Sequence, residues 1–79
     1  MSPTVFRHKG YRFYFFSREE TRMHVHASAS KGEGKFWIEP EIKLAMNAGL
    51  TKRDIANIIE IIREKNDEII DSWKKHFKA

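Results

Sequence analysis

Apolar side chains recur at alternate positions up to Pro40 and at every third or fourth position after Thr51, so the chain reads as strands first and helix last. Thr4-Val5-Phe6-Arg7-His8 predicts a short strand, and Lys9-Gly10 a two-residue hairpin turn, because glycine accepts positive φ at little cost. Tyr11 to Phe16 is almost wholly aromatic and predicts the strongest strand. Ser17 to Arg22 reads as a charged loop. Met23-His24-Val25-His26-Ala27 alternates apolar side chains with imidazoles and predicts a third strand. The small, polar stretch Ser28 to Gly34 reads as a flexible turn. Lys35-Phe36-Trp37-Ile38 predicts a fourth strand, stopped at Glu39-Pro40 because proline has no amide for a ladder.

The period then changes. Glu41 to Asn47 predicts a short helix that Ala48-Gly49 ends, with Gly49 in the left-handed conformation. Thr51-Lys52-Arg53-Asp54 resembles a capping box with Asp in place of Glu. From there Ile55, Ile58, Ile59, Ile62, Ile69, Ile70, Trp73 and Phe77 fall within one stripe roughly 120° wide. Glu60, Glu64 and Glu68 form an acidic ridge opposite, and Lys74, Lys75, His76 and Lys78 offset the carbonyl end of the helix dipole. Ile61 lies off the stripe, as an exposed apolar residue or a contact with another chain, and Asn66 is polar near its centre. The pattern therefore predicts a single α+β domain over 1–79. A four-stranded antiparallel sheet (about 4–39) carries a short helix (about 41–48) and a long C-terminal helix (about 51–77) on one face.

Alternation sorts the sheet into two faces. Met23, Val25, Ala27, Phe36 and Ile38 belong under the helix, and the pairing that keeps Arg12 out of the core adds Phe13 and Phe15. The face left open then gathers Arg12, Tyr14, Phe16, His24, His26, Lys35 and Trp37. Cations, imidazoles and stacking rings on one sheet surface match what single-stranded RNA binding requires.

Charge supports that direction. The formal net charge is +4, and before Pro40 seven Lys and Arg face four Asp and Glu, so the sheet half carries most of the excess. A basic sheet points toward nucleic acid, RNA or DNA, or an acidic protein partner. With 79 residues the core is thin, and net stability of roughly 3–5 kcal/mol makes a partner or self-association as a homo-oligomer a natural supplement. Without cysteine, neither disulfides nor thiolate metal sites add to it, which suits a reducing cytoplasm. No apolar run approaches the length of a membrane helix, and Met1-Ser2-Pro3-Thr4 lacks the charge and apolar stretch of a signal peptide, so a cytoplasmic protein is expected. P-loop, dinucleotide-binding and Gly-x-Ser-x-Gly motifs are absent, so no cofactor is implied and nucleotide-dependent or serine-hydrolase chemistry is disfavoured.

His24-Val25-His26 is the most distinctive local feature. Its imidazoles point to one side, about 6.5–7 Å apart along the strand. Such a pair could work as acid and base on a phosphodiester, with Arg12 or Lys35 stabilising charge on phosphate and with Arg7, Tyr14 and Trp37 as binding residues. The same spacing suits two ligands of a metal ion in a hydrolase, with Glu39, Glu33 or His8 as the nearest third ligand, though no clustered signature nominates one. Alternatively, both histidines line a half-buried surface or a protein interface without chemistry.

Five segments in order carry a family resemblance: Pro3-Thr4-Val5-Phe6-Arg7, Gly10-Tyr11-Arg12-Phe13, His24-Val25-His26, Gly34-Lys35-Phe36-Trp37-Ile38-Glu39-Pro40, and Ile70-Asp71-Ser72-Trp73-Lys74-Lys75-His76-Phe77. Together they resemble the bacterial domain-of-unknown-function family 4160. Its members often lie beside a gene of family 2442, and the pair resembles a type II toxin–antitoxin module. The resemblance implies a toxin-like protein neutralised by a family 2442-like antitoxin. Two positions depart from the family pattern: Arg22-Met23 stand where a Pro-Pro pair precedes the His-x-His motif, and Ala27 follows it in place of a β-branched residue.

Overall fold

A computed structural model describes residues 4–16 and 22–77; residues 1–3 and 78–79, and the charged loop expected at 17–22 except for Arg22, lie outside the described residues. The elements are β1 (Thr4–His8), β2 (Tyr11–Tyr14), β3 (His24–Ser28), β4 (Glu33–Trp37), β5 (Lys43–Ala48), α1 (Lys52–Glu64) and α2 (Asn66–His76). Each strand pairs antiparallel with the next, giving a five-stranded meander in the order β1-β2-β3-β4-β5. The first turn is the expected one. Lys9 at φ 52° and Gly10 at φ 85° supply the two positive φ values of a hairpin turn that follows the strand twist.

The parity reading of the core holds. Phe13, Phe15, Val25, Ala27, Phe36 and Ile38 sit in one buried cluster with Leu50, Ile58, Ile61, Ile62, Ile69 and Trp73. Fully burying an isoleucine or phenylalanine contributes about 1.5–3 kcal/mol, so this layer supplies most of what holds so small a fold together.

Two elements differ from the sequence reading. The stretch expected as a short helix, about 41–48, is instead the fifth strand, with Leu44 opposite Phe36 and Met46 opposite Lys35. Lys, Leu, Ala and Met all favour helix, but the ladder along β4 supplies tertiary pairing that overrides a seven-residue propensity. Gly49, at φ 91°, does take the left-handed conformation, but it ends a strand. Asn47 braces that corner: its Oδ1 accepts from the Leu50 amide at 2.9 Å and its Nδ2 donates to the Leu50 carbonyl at 3.2 Å. The long helix is also two helices. Lys65, at φ −103° and ψ 16°, interrupts it, although the Lys65 amide still donates to the Ile61 carbonyl at 2.9 Å. The capping box at Thr51 is present as expected.

The turn between β3 and β4 is shorter and tighter than the flexible segment expected at 28–34, because Ser28 and Glu33-Gly34 belong to strands. The Ala29 amide donates to the Gly32 carbonyl at 2.8 Å. A Cβ on Gly32 would lie 2.4 Å from the Gly49 backbone, so the missing side chain lets two turns touch. Ile61 is buried, not exposed: it is 2% accessible and lines a small cleft with Lys9, Tyr11 and Asn57. The β1–β2 end of the sheet reaches over α1 and widens the buried stripe. Asn66 is half-buried, and its Oδ1 is buried with no hydrogen-bond partner among the described residues.

Candidate functional site: the cationic and aromatic sheet face

Cross-strand partners share a face, so the register builds the site row by row. One row runs Arg7, Arg12, Ser28, Glu33, Ala48; the next runs Tyr14, His26, Lys35, Met46; the third runs His24, Trp37, Lys43. Every residue assigned by parity to the side away from the helix layer within these strands is on it.

Their depth differs from the expectation of an open surface. His24 is 0% exposed, His26 6% and Tyr14 4%. Arg12, Lys35 and Trp37 are half-buried, and Phe16, at 41%, is exposed. The face covers itself. Tyr14 stacks on His26 at 5.3 Å, and Phe16 meets His26 edge-on at 4.3 Å. The Arg12 guanidinium lies 4.6 Å from the Tyr14 ring centre, while Arg22 and Lys35 lie 4.0 and 4.7 Å from that of Trp37. Cation–π contacts of this kind hold charge at the surface with its orientation set by a ring.

His24 is pinned from three directions. Its ring centre lies 5.3 Å from His26, 5.6 Å from Trp37 and 5.1 Å from Trp73 of α2. Its Nδ1 lies 2.7 Å from the Arg22 carbonyl oxygen, which can only accept, so Nδ1 carries the proton. The two imidazoles are therefore adjacent, as the spacing predicts, but packed into a ring layer. Among the described residues no group of three His, Asp or Glu side chains is placed to hold a metal ion.

Three contributors were missed in the sequence. Lys43 and Met46 enter the face only because β5 is a strand, and Met46 is 56% exposed. Arg22 has the parity of His24 and His26 and could have been found by extending the alternation two residues. Its Nε also donates to the Glu39 carbonyl at 3.0 Å, extending the β3–β4 edge.

On the other side of the sheet, Tyr11 and Asp54 tie β2 to α1. The Tyr11 hydroxyl donates to Asp54 Oδ1 at 2.9 Å and accepts from Asn57 Nδ2 at 3.2 Å. The Thr51 amide, and after it the Tyr11 hydroxyl, hold the Asp54 carboxyl below its ordinary value.

A five-stranded antiparallel meander with two helices and a cation-bearing aromatic layer defines a small α+β protein. Residues 10–74 match the family described as Domain of unknown function (DUF4160), and the chain belongs to that family. The match runs from the first hairpin turn into α2 and takes in both histidines and Trp37. Comparison with the curated proteins and with the solved structures returned no match. No helix among the described residues is long and apolar enough to cross a membrane.

Proposed function

We propose that this protein is the toxin-like half of a bacterial two-protein module and that it grips single-stranded RNA across the sheet face. The observation that carries the reading is the set of cations held over rings: Arg12 on Tyr14, and Arg22 and Lys35 on Trp37. Charge for the phosphates and aromatic faces for the bases then lie on one surface, as sequence-tolerant strand binding requires. The paired rows add Arg7 and Lys43 against the single carboxylate of Glu33. A cytoplasmic, family 2442-like antitoxin would neutralise the protein by covering this face. Binding is favoured over cleavage because His24 and His26 are buried, whereas an acid and a base must reach the phosphodiester.

A second reading, a protein-interaction module without RNA, is favoured by Phe16 and Met46, the large apolar side chains exposed at the edge of this face. Fluorescence anisotropy with a labelled single-stranded RNA separates the two. The RNA reading expects binding that weakens steeply with salt and that Arg22→Gln and Lys35→Gln each reduce, with the RNA intact on a gel afterwards. Salt-independent binding, or none, overturns it in favour of the interaction module. Cut RNA restores His24 and His26 as acid and base.

A further inference from the structure

The β3–β4 ladder continues past the ends of both strands. The Ile38 amide donates to the Met23 carbonyl at 3.0 Å, and the same register brings Arg22 opposite Glu39. Trp37, the partner of His24, is then the diagonal neighbour of Arg22 on one face, within reach of a long side chain. Three contacts hold Arg22. Its Nε donates to the Glu39 carbonyl at 3.0 Å, its own carbonyl oxygen lies 2.7 Å from His24 Nδ1, and its guanidinium lies 4.0 Å from the Trp37 ring centre. Yet Arg22 is exposed. An exposed arginine ordinarily samples many rotamers, and a ligand that orders it must offset the entropy lost. Here the edge bond and the ring contact place the guanidinium before any ligand arrives.

The rings beneath the cations offer a base little room. Tyr14 is 4% exposed, and Trp37 is half-buried with Lys35 as well as Arg22 over it. Among the described residues that hold a cation over a ring, Arg12 and Lys35 are half-buried and Arg22 alone is exposed. We propose that the Arg22 guanidinium, backed by Trp37, is the platform on which one base of the single strand stacks, and that it prefers purines. Bases stack on guanidinium planes as they do on aromatic rings. A purine covers more of such a plane than a pyrimidine, and preference without base-edge readout arises from stacking strength. The inference rests on the RNA reading above and adds where a base sits and which class is favoured. Trp37 is a positioning residue: it holds the guanidinium from below and does not touch the base.

Fluorescence anisotropy compares a uridine hexamer with the same hexamer carrying one central adenine, a pair that avoids self-stacking of purines. The wild type is expected to bind the adenine form about fivefold more tightly. Arg22→Lys keeps the charge and removes the plane, so this ratio is expected to fall to about one. Arg22 is exposed and outside the core cluster, so the variant leaves the packing alone. Trp37→Leu is expected to lose the ratio as Arg22→Lys does, and Trp37→Phe to keep most of it, with folding of each checked by circular dichroism. An undiminished ratio in Arg22→Lys overturns the platform and moves the stacking to the exposed ring of Phe16. Equal binding of both hexamers by the wild type also overturns it and leaves the sheet-face reading standing. Binding of neither hexamer overturns the sheet-face reading and the platform together. A folded Trp37→Leu that keeps the ratio overturns the positioning role of Trp37.

Discussion

Replacing His24 tests whether this imidazole is structural. Truncating a closed-in ring the size of Phe costs about 3–5 kcal/mol, and the smaller imidazole should cost about 2–3 for the cavity. Losing the bond to the Arg22 carbonyl adds about 1 kcal/mol. His24→Ala should therefore cost about 3–4 kcal/mol in a domain whose whole stability is roughly 3–5, leaving it marginally stable at best, between about −1 and +2 kcal/mol. His24→Asn is the informative partner, because its side-chain amide can donate from the Nδ1 position and keep the carbonyl bond. It should recover about 1 kcal/mol relative to His24→Ala. Urea unfolding followed by tryptophan fluorescence suits the measurement, since Trp37 and Trp73 both flank the ring. An unchanged urea midpoint in His24→Ala would refute the structural role. The expected result also means that loss of toxicity in His24→Ala, taken alone, says nothing about catalysis.

Three further outcomes follow from the packing. Gly32→Ala should lower the urea midpoint more than Gly34→Ala, because its Cβ meets fixed backbone at 2.4 Å while that of Gly34 first meets the Leu50 side chain at 2.8 Å; the reverse order would show that the two turns can separate. Ile61→Ala should cost about 2–4 kcal/mol by the same assay, and a change below about 0.5 would return Ile61 to the surface. Asp54, whose native carboxyl is held below its ordinary value, stabilises the fold fully above the unfolded carboxylate pKa of about 4 and loses that contribution as pH falls through the native value. Tyr11→Phe should flatten this acid dependence, and an unchanged profile would remove the Tyr11 hydroxyl as a cause.

How much was legible depended on whether a feature was local. The first four strands, the Lys9-Gly10 turn and the side of each residue on the sheet follow from period-2 alternation, which survives folding because one face must be buried. The fifth strand was not legible, since Lys43 to Ala48 has helix-favouring residues and becomes a strand only by pairing with β4. The break at Lys65 was hidden for the opposite reason: the apolar stripe and the Lys65–Ile61 hydrogen bond both continue across it. Parity told which side His24 and His26 occupy but not their depth. That depth comes from Phe16, Tyr14 and Trp73, residues 8 or more positions away in the chain whose arrival no local pattern encodes.

The same geometry makes His26, not His24, the better probe of function. His24 reaches Trp73, which also meets Phe15 in the core at 5.4 Å, so its loss propagates into the helix layer. His26 stacks on Tyr14 and meets Phe16 edge-on, on the face itself. His26→Ala should therefore cost less stability than His24→Ala, about 1–2 kcal/mol for a stacked ring at the margin of a packed layer. It should still weaken RNA binding, because Tyr14 loses its support and Arg12 lies over Tyr14. Urea unfolding and anisotropy on the same preparation check both halves. If His26→Ala is folded and binds RNA with wild-type affinity, the ring layer is not part of the grip, and the contact must lie with Arg22, Lys35 and Trp37 alone.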